Sequence, residues 1–131
     1  MSDQNNETVE ETTQFQPKFD AAGLVTCVTV DHDSRDILMV AHMNETALKQ
    51  TLATGNATYW SRSRQSLWVK GETSGAIQKV VEMRIDCDQD AVVLFVNVPH
   101  RAQTCHTGRN DCFYRIVTAQ DGAITLSFAD D

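Results

Sequence analysis

No run of about 18 apolar residues occurs anywhere in the 131-residue chain, so no segment is long and oily enough to span a bilayer as a helix. Basic residues are in deficit. Eleven Lys and Arg stand against 18 Asp and Glu, for a net charge of −7. A broad nucleic-acid face or a surface that docks on anionic lipid needs the opposite sign, and both are excluded. There is no C-x-x-C pair, which removes the usual thiol–disulfide redox motif. No internal repeat and no second composition break is present, and this length argues for one domain. The opening "MSDQNNETVEETTQFQPKF" lacks the basic start and apolar core of a secretory signal. The expected address is therefore cytoplasmic. There thiols stay reduced, and clustered cysteines point to metal or catalysis rather than to disulfides.

What is present is enough for a core. The composition is 41% hydrophobic, and a chain of this size buries roughly two thirds of its unfolded surface. Residues 1–16 are polar, acidic and aperiodic, which predicts a mobile tail before a single domain over 17–131. "GLVTCVTV" (23–30) and "ILMVA" (37–41) flank the polar turn "DHDSRD" and predict a hairpin, with Cys27 in the core. Asn44 can cap a helix that Gly55 ends, with Ala47, Leu48, Thr51 and Leu52 as its apolar stripe. "ATYWSR" and "LWVK" predict a second hairpin. Ile77, Val81, Met83 and Ile85 alternate as in a half-buried strand, and "AVVLFVNV" is apolar on both faces, as in a central one. "DG" at 121–122 marks a last hairpin. The expected fold is an α+β domain of mostly antiparallel sheet with one or two short helices. Its long apolar strands have few places to hide their edges, which favours a homodimer.

Three of the four cysteines fall in residues 84–113, beside the cluster Asp86, Cys87, Asp88, Gln89, Asp90. If that cluster is extended, the three aspartates share one face and Cys87 points to the other. Crowded carboxylates suit Mg²⁺; a solvated acidic edge is the alternative. An EF-hand is excluded, because Ala91 and Asn97 stand where that loop needs Gly and Glu. Cys87, Cys105 and Cys112 offer three soft ligands, the count of a catalytic zinc site with one open position, although buried cysteines are also commonly inert. His106, next to Cys105, reads as a general acid/base or substrate contact, or as a surface histidine.

"YWSRSRQSLWVKGETSG" (59–75) reverses the local sign of charge. Arg62, Arg64 and Lys70 are basic. Ser61 and Ser63 alternate with the arginines, as on a strand. Trp60 and Trp68 offer flat surfaces on which a base can stack. The glycine-bounded loop Gly71, Glu72, Thr73, Ser74, Gly75 resembles an anion nest. Together these fit a small phosphorylated, base-containing ligand; a solvated hairpin with core tryptophans is the alternative.

"MVAHMNETALKQTLATGNATYWSRSRQSLWVKGETSG", "QKVVEMRIDCDQDAVVLFV" and "CHTGRNDCFYR" together resemble the phosphoribosyl-AMP cyclohydrolases of histidine biosynthesis, across about residues 19–117. The resemblance implies hydrolytic opening of an adenine ring at N1–C6. It implies zinc on Cys87, Cys105 and Cys112, shared between the two chains of a homodimer, and Mg²⁺ on Asp86, Asp88 and Asp90. It puts His106 in the catalytic position, and Arg62, Arg64, Trp68, Lys70, Gly71, Thr73, Ser74 and Gly75 around the nucleotide. A zinc-binding dimeric module of the same fold without activity is the second reading. The chain departs from the family pattern at His42, at His100 and Ala102 before the C-H-T-G motif, and at Asp111 before Cys112.

Overall fold

A computed structural model describes residues 8–99 and 101–129. The strands are β1 (Val25–Asp31), β2 (Ile37–Met43), β3 (Thr58–Ser61), β4 (Ser66–Val69), β5 (Lys79–Ile85), β6 (Ala91–Asn97), β7 (Arg115–Gln120) and β8 (Ala123–Phe128). One helix, α1 (Glu45–Thr54), follows β2, and a 3₁₀ turn covers Arg101–Gln103. The α+β, mostly β expectation is met. Among the described residues no helix is long and apolar enough to cross a membrane.

The main sheet has the order β2-β1-β6-β5. β1 pairs antiparallel with β2, and β6 antiparallel with β5, but β1 and β6 run parallel, from Thr26↔Ala91 to Asp31↔Val96. Sequence patterning does not reveal that parallel pair. It needs a long crossover, and residues 32–90, which carry β2, α1 and β3–β5, supply it. β6 is central, as its two apolar faces require, with Val92, Leu94 and Val96 fully buried.

α1 begins where Asn44 Oδ1 accepts the Ala47 N–H at 2.8 Å. It ends where Gly55, at φ 77°, returns its N–H to the Thr51 carbonyl. Ala47, Leu48 and Thr51 are buried, but Leu52 is 55% exposed, against the expected stripe. At 3.6 residues per turn the first three span an arc of about 100°, and Leu52 lies about 40° beyond it. A second departure is Val81, which is exposed while Val80 packs on the core. A bulge between Val80 and Glu82 inserts one residue and flips the alternation.

The core joins Val25, Cys27, Leu38, Met43, Leu48, Tyr59, Val92 and Leu94. Tyr59 is wholly buried, yet its hydroxyl is satisfied by Thr29 Oγ1 at 2.7 Å and Gln78 Oε1 at 2.6 Å. Cys27 lies in this core as expected, and burial pushes its thiol up to about 12, so it is inert.

β7 and β8 form the expected hairpin, turned by Asp121 and Gly122 at φ 53° and 82°. Every residue of both strands is exposed, including Ile116, Val117, Ile124, Leu126 and Phe128.

Candidate active site

The cysteine segment is a closed loop at the C-terminal end of β6. The Cys105 N–H donates to the Arg109 carbonyl at 3.2 Å, and the Gly108 N–H donates to the Cys105 carbonyl at 2.9 Å. Arg101 Nε reaches across to the Asn110 carbonyl at 3.1 Å. The Cys112 N–H is anchored to the Leu38 carbonyl at 2.7 Å. This closure brings the Cys105 and Cys112 thiols near enough for each to shift the other's ionisation. Two departures from the family pattern find places here. Ala102 sits in the 3₁₀ turn, and the Asp111 carboxylate accepts the Phe113 N–H at 2.8 Å. His100 falls outside the described residues.

The two thiols are unequal. Burial raises both. At Cys105, hydrogen bonds from the Thr107 hydroxyl (3.1 Å) and N–H, the Cys112 thiol and the Lys70 charge overcome it, and its pKa falls below the ordinary thiol value. At Cys112, burial and then the adjacent Cys105 push the thiol up to about 11. Two thiols that cannot both ionise cheaply are a donor set that a soft dication relieves. Lys70 faces this pair. Its Nζ donates to the Thr104 carbonyl at 2.6 Å and lies 5.3 Å from the Trp68 ring centroid. His106 is exposed on the same loop.

Cys87 does not join them. It sits on the β5–β6 turn, at the opposite end of strands whose Lys79↔Asn97 pair marks the cysteine-loop end. That is a strand length away, about 20 Å. Among the described residues no three His, Cys, Asp or Glu side chains converge as a metal cluster. One chain therefore presents two of the three expected zinc ligands together.

The acidic cluster is a turn, not the extended segment expected. The Asp86 N–H donates to the Ala91 carbonyl at 2.9 Å, closing the hairpin. Asp86 Oδ1 accepts the Asp90 and Ala91 N–H groups at 3.0 and 3.2 Å. A turn abolishes the strand alternation, so Cys87 does not point away from the aspartates: its Sγ lies 3.6 Å from Asp88 Oδ1. The Asp88 charge raises the Cys87 thiol. A hydrogen bond with Asp86 raises the Asp90 carboxyl. The neighbouring Asp86 and Asp88 charges also raise it, and among the described residues these side chains are not placed as a group of three that could hold a metal ion.

The basic stretch is also a turn. Arg62–Gln65 join β3 to β4, and Ser61 Oγ caps the turn by accepting the Arg64 N–H at 3.2 Å. Ser61 and Ser63 are thus on one side by capping rather than by strand alternation, and Arg62 and Arg64 are both exposed. Beside the turn an open cleft of about 530 Å³ is lined by His42, Trp60, Arg62 and Trp68 among others. His42, which takes its place in this cleft, is held below the ordinary imidazole range by burial and by the Arg62 charge. In the loop 71–75, Glu72 and Gly75 spend their N–H groups on the Val69 and Gly71 carbonyls. Gly71, at φ 82°, lies so close to Ala76 that a Cβ would overlap its backbone at 2.1 Å.

Sequence reading missed Arg109. Arg109 places its guanidinium 4.3 Å from the Tyr114 ring centroid and 4.9 Å from that of Phe128, clasping the cysteine loop to the last hairpin. Its position between His106 and Cys112 was the available signal.

The thiol pair is linked to the cleft through Lys70, whose Nζ lies 5.3 Å from the ring of the cleft residue Trp68, an arrangement suited to an enzyme that acts on a bound ligand. The profile of one family, phosphoribosyl-AMP cyclohydrolase, matches residues 39–114. The chain is 60% identical over 122 residues to the phosphoribosyl-AMP cyclohydrolase of Bradyrhizobium diazoefficiens, covering 93% of this chain and 86% of that one. It is 58% identical to that of Nitrobacter hamburgensis, covering 93% and 82%. It is 55% identical to that of Brucella abortus strain S19, covering 97% and 91%. The chain belongs to the phosphoribosyl-AMP cyclohydrolase family.

Proposed function

We propose that the protein hydrolyses the N1–C6 bond of the adenine ring in 1-(5-phosphoribosyl)-AMP, a step of histidine biosynthesis in the cytoplasm. The observation that carries the mechanism is the Cys105–Cys112 thiol pair beside Lys70, whose Nζ lies 5.3 Å from the ring of the cleft residue Trp68. Zinc would be held by Cys105 and Cys112 of one chain and Cys87 of a second copy, and Mg²⁺ by Asp86, Asp88 and Asp90. Zinc bound there supplies a Lewis acid that makes hydroxide accessible near neutral pH.

This chain's own groups do the rest. Arg62, Arg64 and the hydroxyls of Thr73 and Ser74 bind phosphate oxygens. Trp68, Trp60 and His42 flank the base. His106, exposed on the cysteine loop, takes a proton from the attacking water and returns one to N1 as the C6–O bond forms and the N1–C6 bond breaks. Lys70 holds the cysteine loop rather than a phosphate.

A homodimer completes the site in this reading. The β7–β8 hairpin is open on both faces with five large apolar side chains exposed, and an isolated two-stranded hairpin is marginal in water. Covering it with a second copy supports it and brings a distant Cys87 to the thiol pair.

The test is turnover of phosphoribosyl-AMP, followed by the ultraviolet change of ring opening, with and without a chelator. Activity that a chelator removes and zinc restores is expected. Zinc binding without turnover would establish the inactive-module reading instead. Mixing inactive C87S with inactive C112S should recover about a quarter of wild-type activity, because half the random dimers carry one intact site. No recovery after exchange would reject the shared site.

A further inference from the structure

Residues 101–115 carry three arginines, Arg101, Arg109 and Arg115, and a single acid, Asp111. This is a second local reversal of sign in a chain of net charge −7. A pocket of about 360 Å³ opens on this segment, lined by Arg109, Asn110, Asp111, Phe113 and Tyr114 among others. It stands at the lower end of the size range of small-molecule sites, and none of the residues assigned above to the nucleotide lines it.

The arginines differ in what they have left to offer. Arg101 is engaged, with Nε on the Asn110 carbonyl and an ion pair to Asp36 at 3.4 Å. Arg109 has its plane fixed by the rings of Tyr114 and Phe128, and among the described residues no ion pair engages it. A guanidinium oriented by stacking, with no acid on its N–H edge, is pre-organised for an anion of fixed geometry. Arg115 adds charge beside it, 5.3 Å from the Tyr114 ring centroid. The one carboxylate of the pocket, Asp111, accepts the Phe113 N–H at 2.8 Å. Phe113, 54% exposed, offers an apolar wall.

The pocket and the basic cleft both border the thiol loop. Cys112 lies between the pocket residues Asp111 and Phe113, and its N–H is bonded to the Leu38 carbonyl at 2.7 Å. Val40, two residues further along β2 and about 7 Å on, lines the cleft. The substrate of the proposed function carries a phosphoribosyl arm on N1 and another on N9, so a phosphate stands at each end and the reacting bond belongs to the base between them. Arg62 and Arg64 serve the cleft end. We propose that the Arg109 pocket is a second phosphate subsite, in which the Arg109 guanidinium binds the phosphate of one arm while the arginine turn holds the other. This inference rests on the proposed activity and names the residue by which the site prefers a two-armed ligand to a mononucleotide.

The test uses the full chain loaded with zinc. Arg109→Met keeps an apolar stem over the rings and deletes the guanidinium. It should raise KM for phosphoribosyl-AMP at least tenfold with kcat within about twofold, and Arg109→Lys should recover part of the loss. Asp111→Asn keeps the acceptor for the Phe113 N–H and removes a negative charge from the pocket, so it should lower KM. AMP, which has one arm, is titrated by calorimetry in parallel. Only one of Arg109→Met and Arg64→Ala should weaken AMP binding, whereas both should raise KM for the two-armed substrate. An unchanged KM in Arg109→Met, or a fall in kcat and zinc content at constant KM, would make Arg109 a structural clasp and overturn the subsite. AMP binding weakened alike by both variants would put both arginines on one phosphate and overturn it too. If Arg109→Met does not fold, Asp111→Asn decides, and a KM that is not lowered overturns the subsite. A wild type that binds phosphoribosyl-AMP without turning it over would sink the proposed activity instead, and the calorimetric loss of that ligand in Arg109→Met would still decide the subsite.

Discussion

The Lys70 ammonium donates to the Thr104 carbonyl oxygen at 2.6 Å, a single bond joining the end of β4 to the start of the cysteine loop, 34 positions on. Thr104 is buried, so this contact is largely shielded from solvent. Lys70→Met keeps the stem over Trp68 and deletes the bond and the charge. Its zinc affinity, by competition with a chelator, should fall about tenfold or more, as for other residues that orient a ligand. Arg64→Ala, out on the exposed turn, should instead raise KM while changing kcat little. An exchange of these two patterns would mean that Lys70 is the phosphate contact.

The loop 71–75 offers a comparison between two glycines. Gly71→Ala drives a Cβ to 2.1 Å from the Ala76 backbone, whereas Gly75, at φ 86°, has nothing within 4 Å. Both substitutions strain a left-handed residue by about 1–2 kcal/mol. Only Gly71→Ala adds an overlap with backbone, so in urea unfolding it should be the more destabilising by more than ~1 kcal/mol.

Tyr59→Phe removes a hydroxyl bonded to both Thr29 and Gln78 in a wholly buried setting. Stability should fall by about 1–3 kcal/mol, because two buried polar groups lose a partner. Thr29→Val combined with Tyr59→Phe should recover part of the loss in a double-mutant cycle.

His42 carries a pH dependence. Burial and Arg62 lower its folded pKa below the ordinary value, so the unfolded chain binds the proton more readily. Its contribution to stability is full above the ordinary imidazole pKa, about 6.5, and is lost as pH falls through that value toward the lower folded one. His42→Gln should flatten this acid limb in urea midpoints measured between about pH 5 and pH 8.

Local signals were legible where one residue type has one local job. Asn44 and Gly55 bracket α1 because a side-chain acceptor and a left-handed C-cap act within one turn. Asp121 and Gly122 turn the last hairpin for the same kind of reason. Leu52 and Val81 were misread because a stripe edge and a bulge change exposure without changing composition. The acidic segment was read as if extended and is a turn; the second hairpin was legible with its turn at S-R-Q-S, but the strand alternation expected through Ser61–Arg64 stops at Ser61. Alternating residue types look the same in either, and Asp86 and Ser61 cap their own turns with side chains whose targets are set by chain reversal.

Composition, periodicity and the order of motifs determined by themselves the α+β class, the elements and the family, since each is written in neighbouring residues. Which thiols meet and where Lys70 reaches were decided by the tertiary structure alone. Those contacts join residues 7 and 34 positions apart. They exist only because β6 lies parallel to β1 and the hydrogen-bonded loop at its C-terminal end folds back on itself.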